Sequence, residues 1–218
     1  MPKRFDLLVF DWDGTLIDSA GAIAACIQAA CRDLGLPVPD ERRARHVIGL
    51  GLHDSLAHAV PSLPPSEYPR VAERYRYHFL AQDASLPLFP GTREMLEGLR
   101  ANGHQLAIAT GKSHAGLVRA LGHTGLADLF DATRCADQCA PKPAPDMLLE
   151  LMAMLAIDPE RALMVGDTSH DLQMAAYAGV AAVGVSYGAH EAASLAGLGP
   201  LELVHSTAEL QRWLAANA

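Results

Sequence analysis

Three short apolar runs, each breaking off into small polar residues, constrain this chain more than any other feature. They are Leu7-Leu8-Val9-Phe10, running into Asp11-Trp12-Asp13-Gly14-Thr15; Leu106-Ala107-Ile108-Ala109, running into Thr110-Gly111-Lys112-Ser113; and Ala162-Leu163-Met164-Val165, running into Gly166-Asp167. A continuous apolar run of this length reads as a strand buried on both faces, the kind found inside a parallel sheet. Val180 to Ser186 supplies another after Gly179, and Phe130 to Arg134 a shorter one. Helical patterns lie between them at Arg93 to Ala101, Ser113 to Leu121, Pro145 to Leu155 and Asp171 to Ala178, the first closed by Gly103 and the last by Gly179. Strands alternating with helices predict an α/β fold built on a Rossmann-like parallel sheet.

One region interrupts the alternation. From Ile17 to about Leu86 no strand pattern occurs, whereas Ile23, Cys26, Ile27, Ala30 and Leu34 fall at helical spacing, followed by helical patterns at Asp40 to Ile48, His53 to Ala59 and Ser66 to about Ala81. Such a segment, entering directly after the first strand, predicts an inserted α-helical cap at residues 17–85. Residues 1–16 and 86–218 then form the α/β core. At 218 residues and 50% hydrophobic content the chain can bury a sizeable core and carry such an insertion.

Charge narrows the partners. A formal net charge of -8 argues against a nucleic-acid surface, and the one dense basic cluster, Arg42-Arg43-Ala44-Arg45-His46, reads most simply as a solvated helix face. No apolar segment approaches the roughly 18 residues of a membrane span, and the N-terminal run lacks a cleavage site, which leads us to expect a cytoplasmic protein without membrane partners. Cys26, Cys31, Cys135 and Cys139 form no CxxC pair, which favours reduced thiols.

In a parallel sheet the residues just beyond the strands' carboxyl ends share one edge, where open α/β folds bind ligands. Asp11, Asp13, Thr110, Lys142, Asp167 and Asp171 are all predicted there. Several carboxylates with one lysine and one hydroxyl suit Mg²⁺, a hard cation that takes oxygen ligands and keeps positions for water and phosphate. Backbone N–H groups in the turns after Asp11 and Thr110, including that of Gly111, could add phosphate donors. Singly, each residue has a plainer role: aspartates favour turns before glycine, Thr110 could cap the next segment, and Asp171 could be a first-turn helix acid.

Taken together, DWDGT, the Thr110 strand end, Lys142 within APKPAPD and GDTSHD, in that order, resemble the four motifs of the haloacid dehalogenase superfamily. The insertion position resembles its phosphoglycolate phosphatase-like subfamily. The resemblance implies that Asp11 attacks phosphorus to form an aspartyl-phosphate and that Asp13 protonates the leaving oxygen and later activates water. It also implies Mg²⁺ on Asp11, the Asp13 main-chain carbonyl and Asp167, with Asp171 in support, and phosphoryl oxygens bound by Thr110 and Lys142. The expected partner is a small phosphorylated metabolite, with phosphoglycolate leading, and the expected state a monomer or weak homodimer.

Within the superfamily a phosphonatase would need a cap lysine, and none lies between Leu16 and Ser85. A dehalogenase would not need Asp13. A sugar phosphomutase or a pyrophosphatase shares the core, although the mutases tend to carry an acidic residue where this chain has Gly166. A catalytically silent binding protein on the same fold is the non-enzymatic alternative. In the resembling subfamily a cap loop descends on the active site, which makes Arg45 and His53, flanking Gly49-Leu50-Gly51, candidate substrate contacts. His170 and His190 lack metal-ligand spacing and are expected at the surface or an edge.

Overall fold

The computed structural model describes residues 3–218; Met1 and Pro2, part of the run read for a targeting signal, lie outside the described residues. Six strands, β1 (Leu7–Phe10), β2 (Gln105–Thr110), β3 (Ala132–Cys135), β4 (Ala162–Gly166), β5 (Ala181–Val185) and β6 (Glu202–Val204), form one sheet in the order β3-β2-β1-β4-β5-β6. Every pairing is parallel. The apolar runs thus become the central strands, and β6, whose three residues carry an exposed Glu202, is an edge strand with no sequence signature of its own.

Four helices intervene between β1 and the rest of the sheet: α1 (Ala20–Asp33), α2 (Glu41–His46), α3 (Leu52–Ala59) and α4 (Tyr68–Leu80). After them come α5 (Thr92–Ala101), α6 (His114–Thr124), α7 (Asp146–Leu155), α8 (Ser169–Tyr177), α9 (Ala192–Ala196) and α10 (Thr207–Asn217). Local chemistry starts several of them. The Asp40, Ser113 and Ser206 side chains accept from backbone N–H groups three residues on, capping α2, α6 and α10.

Strand alternation divides the core into two apolar layers. Leu8, Phe10, Leu106, Ile108, Leu163 and Val165 pack with Leu96 of α5, Leu117 of α6 and Leu210 of α10. Leu7, Val9, Ala107, Ala109 and Met164 pack on the opposite face with Leu148 of α7 and Met174 of α8. Burying one such Leu or Val contributes roughly 1.5–3 kcal/mol, so the six-stranded frame holds its carboxyl edge rigidly. The intervening helices gather a separate apolar cluster, including Ile23, Ile27, Leu56, Val71 and Phe79. The chain enters and leaves them side by side, for Asp18 N–H donates to Pro87 O (2.9 Å) and Phe89 N–H to Leu16 O (3.1 Å).

Cys26, Cys31 and Cys135 are buried, Cys139 is partly exposed, and all four are unbridged. No helix among the described residues is long and apolar enough to cross a membrane.

Candidate active site

Register delivers the first carboxylate. Phe10 pairs with Ile108 on one side and Val165 on the other, and Asp11 N–H donates to Val165 O at 2.9 Å, so the ladder carries Asp11 just past the strand. Thr110 ends β2 beside it, and Asp167 follows the last residue of β4. Asp11, Asp167, Asp171, Thr110 and Lys142 are all buried.

Lys142 Nζ stands 2.8 Å from Asp11 Oδ1 and 2.6 Å from Asp171 Oδ1. Both are close ion pairs without hydrogen-bond alignment, and Asp11 Oδ2 has no hydrogen-bond partner among the described residues. Asp167 is fixed on both oxygens, Oδ1 accepting from Thr15 Oγ1 (2.8 Å) and Oδ2 from Ala189 N–H (2.7 Å). Asp171 Oδ2 accepts from Thr168 N–H (3.0 Å) and Thr168 Oγ1 (2.7 Å), closing a capping box at the start of α8. Asp171 is therefore both the helix acid and the partner of Lys142.

Burial and shared negative charge dominate the electrostatics. Burial pushes the Asp11 carboxyl up to about 7; Lys142 opposes this, while Asp171 and Asp13 add to it. Burial also drives Asp167 well above the ordinary carboxylate range, helped by the charges of Asp11 and Asp171. Burial alone would lower Lys142, yet the two facing carboxylates more than offset it and hold the ammonium charged.

Oxygens of Asp11, Asp167 and Asp171 lie within 4.8 Å of one another. Three carboxylates against one ammonium leave two surplus negative charges, and the unpartnered buried Asp11 Oδ2 is a group whose desolvation costs at least about 1–3 kcal/mol. An oxygen-seeking dication fits this donor set. Asp11 offers it the unpartnered Oδ2, and each Asp167 oxygen accepts only one hydrogen bond, whereas Asp171 Oδ1 faces Lys142 and its Oδ2 already accepts two.

Asp13 lies at the rim. Its Oδ1 accepts from Ser19 Oγ (2.8 Å) and its Oδ2 pairs with Lys112 Nζ (3.1 Å), which also sits 4.6 Å above the Phe79 ring of α4. Thr110 Oγ1 accepts from Lys112 N–H (3.2 Å). The role of Lys112 was not read from the sequence; its place two residues past a strand end was the available signal. A cavity of about 620 Å³ opens here, with Asp13, Gly111 and Lys112 on one side and apolar residues of α1, α3 and α4 on the other.

The loop after α2 covers this edge. A β-carbon at Gly111 would stand 2.4 Å from Gly49 O and 2.7 Å from Leu50 O, so only glycine admits the approach. His46 O accepts from His170 Nε2 (2.9 Å) and His190 Nε2 (3.1 Å), and Ser169 N–H donates to His190 Nδ1 (3.0 Å), which fixes His190 as the Nε2-protonated tautomer. The surface part of the surface-or-edge expectation for these two histidines is corrected: both are buried at the covered edge, each donating to the carbonyl of His46, the last residue of α2. Burial lowers both, His190 to about 4 with help from the charge of His170.

The two candidate loop contacts separate. His53 lines the cavity, with its ring 4.7 Å edge-on from Tyr68. Arg45 is not brought to the site; its Nε donates to Glu41 Oε1 at 2.7 Å, an i, i+4 pair on its own helix, as a solvated basic face would have it.

Comparison with known proteins agrees with this geometry. The chain is 38% identical over 210 residues to the "Probable phosphatase IndB" of Dickeya dadantii, covering 94% of this chain and 91% of that one. It is 34% identical to the phosphoglycolate phosphatase of Chromobacterium violaceum, covering 95% and 96%. A crystal structure titled as a "predicted phosphoglycolate phosphatase" from Haemophilus somnus superposes with a TM-score of 0.87 at 27% identity, covering 97% and 99%. The family model for haloacid dehalogenase-like hydrolases matches residues 8–185, from β1 to the end of β5. The chain belongs to the haloacid dehalogenase-like hydrolase family, in its phosphoglycolate phosphatase-like branch.

Proposed function

We propose that this protein is a Mg²⁺-dependent phosphomonoesterase that hydrolyses a small phosphorylated metabolite through an aspartyl-phosphate at Asp11, with residues 17–85 as a cap on a core of 1–16 and 86–218. One observation carries the reading. Asp11 is buried at the sheet edge with Lys142 on one oxygen and, among the described residues, no partner on the other, beside a second aspartate that faces a cavity.

Asp11 attacks phosphorus, and the bond to the ester oxygen breaks. Asp13 gives its proton to that oxygen, releasing the alcohol. Asp13 then takes a proton from water as the water attacks the aspartyl-phosphate, which returns Asp11 and frees phosphate. Lys142 and the Thr110 hydroxyl bind phosphoryl oxygens, joined by the Gly111 N–H, and Asp171 orients Lys142. Mg²⁺, held by Asp11, Asp167 and the Asp13 main-chain carbonyl, would neutralise the charge that otherwise repels a phosphate dianion from a carboxylate. We propose further that the protein acts in the cytoplasm as a monomer or weak homodimer, on a small molecule and not on nucleic acid or membrane.

A mutase reading has less support. The acidic residue expected before Asp167 meets an obstacle here, since a β-carbon at Gly166 would stand 2.4 Å from the Asp171 side chain. The test is a panel of phosphomonoesters, a sugar bisphosphate and pyrophosphate assayed after chelation and metal titration. Monoester hydrolysis that EDTA abolishes and Mg²⁺ restores is expected. Restoration by Zn²⁺ alone, or turnover confined to pyrophosphate or to isomerisation, would overturn the proposal.

A further inference from the structure

We propose that the cavity beneath the cap selects the organic half of the ester, and that this half is an uncharged, predominantly apolar group of ring size or larger and not a short carboxylate such as glycolate. This rests on the phosphomonoesterase reading. The leaving oxygen has to meet Asp13, and Asp13 is on the wall of the cavity, so whatever the oxygen is attached to continues into that space. At about 620 Å³ the space is far larger than a two-carbon acid needs and falls within the roughly 300–1,000 Å³ of pockets that enclose drug-sized ligands.

Its walls are apolar where the organic group would lie. Ile23 and Ile27 come from α1, Leu56 from α3, and Val71 and Phe79 from α4. Tyr75 stacks on Phe79 with ring centroids 5.7 Å apart and planes 18° apart, giving a flat aromatic wall that carries one hydroxyl. A carboxylate set among these side chains would lose its hydration and require a dedicated cation.

The inward cations nearby have other partners. Lys112 is paired with Asp13, Arg119 Nε lies 3.5 Å from Asp83, and Arg45 is paired with Glu41 outside the cavity. Arg76 lines the cavity from an exposed position, and Asp54 and Asp137 line it with negative charge. Formal charges along the cavity wall therefore balance, Lys112, Arg76 and Arg119 against Asp13, Asp54 and Asp137, and among the described residues only Arg76, at the exposed rim, stands without a carboxylate partner.

Two measurements on the full chain with Mg²⁺ test this. The first compares kcat/KM for ethyl, butyl, hexyl and 2-phenylethyl phosphate, whose leaving groups are all primary alcohols, with phosphoglycolate. The second compares calorimetric binding of 2-phenylethylphosphonate and phosphonoacetate, neither of which can be hydrolysed at the phosphorus–carbon bond. The expected result is a rise in kcat/KM of about fourfold per added methylene, with phosphoglycolate below hexyl and 2-phenylethyl phosphate, and at least tenfold tighter binding of the aromatic phosphonate. Ile27→Trp, which fills the cavity, should collapse the hexyl-to-ethyl ratio toward one, and Leu56→Phe on another helix should lower it if the first variant fails to fold. Hydrolysis of the series without dependence on chain length, or a preference for phosphoglycolate and phosphonoacetate, overturns the inference and leaves the phosphomonoesterase reading intact. Preferential binding of the aromatic phosphonate without turnover of any ester would instead support the cavity assignment and overturn the catalytic reading.

Discussion

At Asp11 the catalytic role proposed here and stability oppose each other. Its folded pKa of about 7 lies above the ordinary carboxyl value of 3.8, so the unfolded chain gives up this proton more readily than the folded one. The metal-free protein therefore loses stability from this group as pH rises from about 4 to about 7, and bears the whole penalty above that. Asp11→Asn removes the proposed nucleophile and the penalty together. Turnover should fall by at least about 10³-fold, while calorimetry in EDTA at pH 7.5 should show a higher Tm than wild type; about 1 kcal/mol moves the midpoint of a chain this size by roughly 2–4 °C. A Tm that falls instead would mean that the Lys142 pair outweighs burial. Asp13→Asn should slow alkyl phosphates far more than an activated aryl phosphate, whose leaving oxygen needs little protonation, and steady-state assays on the two esters decide it.

At this scale the sequence was readable wherever a strand ended. Asp11, Thr110 and Asp167 follow apolar runs, so a parallel sheet had to bring them together. Lys112 was not assigned because its contact with Asp13 depends on the direction of a flexible side chain, which no spacing reveals. His170 and His190 were misjudged for a related reason: their burial comes from the carbonyl of His46, more than 120 residues away from either.

Among elements, the loop after α2 and the turn after β2 depend on each other. Gly111→Ala should force Gly49 and Leu50 off the site and lower kcat/KM by one to two orders of magnitude while Tm changes little, because the collision is with a loop and not with the sheet. The histidine pair gives that contact a pH dependence. A histidine whose folded pKa lies below its ordinary 6.5 contributes stability that is fully present above about 6.5 and is lost as pH falls toward the folded value, about 4 for His190. With Mg²⁺ saturating, so that the carboxylates stay ionised, Tm should drop between pH 6.5 and 4.5, and His190→Gln should flatten that drop. An unchanged slope in the variant would locate the acid sensitivity elsewhere. The helices of the insertion were legible from their 3.6-residue spacing. β6, α9 and α10 were not, since a three-residue edge strand with an exposed glutamate carries almost no pattern and the helices beside it are short or weakly amphipathic.

For the whole molecule, two apolar layers and the separate apolar cluster of α1–α4 meet at one sheet edge. The edge supplies charge and the helices after β1 supply volume. That division explains why the residues proposed to handle phosphate were legible in the sequence while the space proposed for the organic group was not: the cavity exists only once α1, α3 and α4 have packed over Asp13 and Lys112. Metal binding should tie the parts together, raising Tm in wild type and much less in Asp167→Asn, because the ion relieves buried carboxylates present only in the folded state. The central claim is that Asp11 itself carries the phosphoryl group. Acid-quenching the protein during turnover, reducing with borohydride and sequencing its peptides by mass spectrometry tests it directly, because an acyl phosphate is reduced to the alcohol whereas a free carboxylate is not. Homoserine at position 11, absent without substrate and absent in Asp11→Asn, is the result this account predicts. A reduced residue elsewhere, or unmodified Asp11 under conditions in which a stable acyl phosphate standard is reduced, would contradict it.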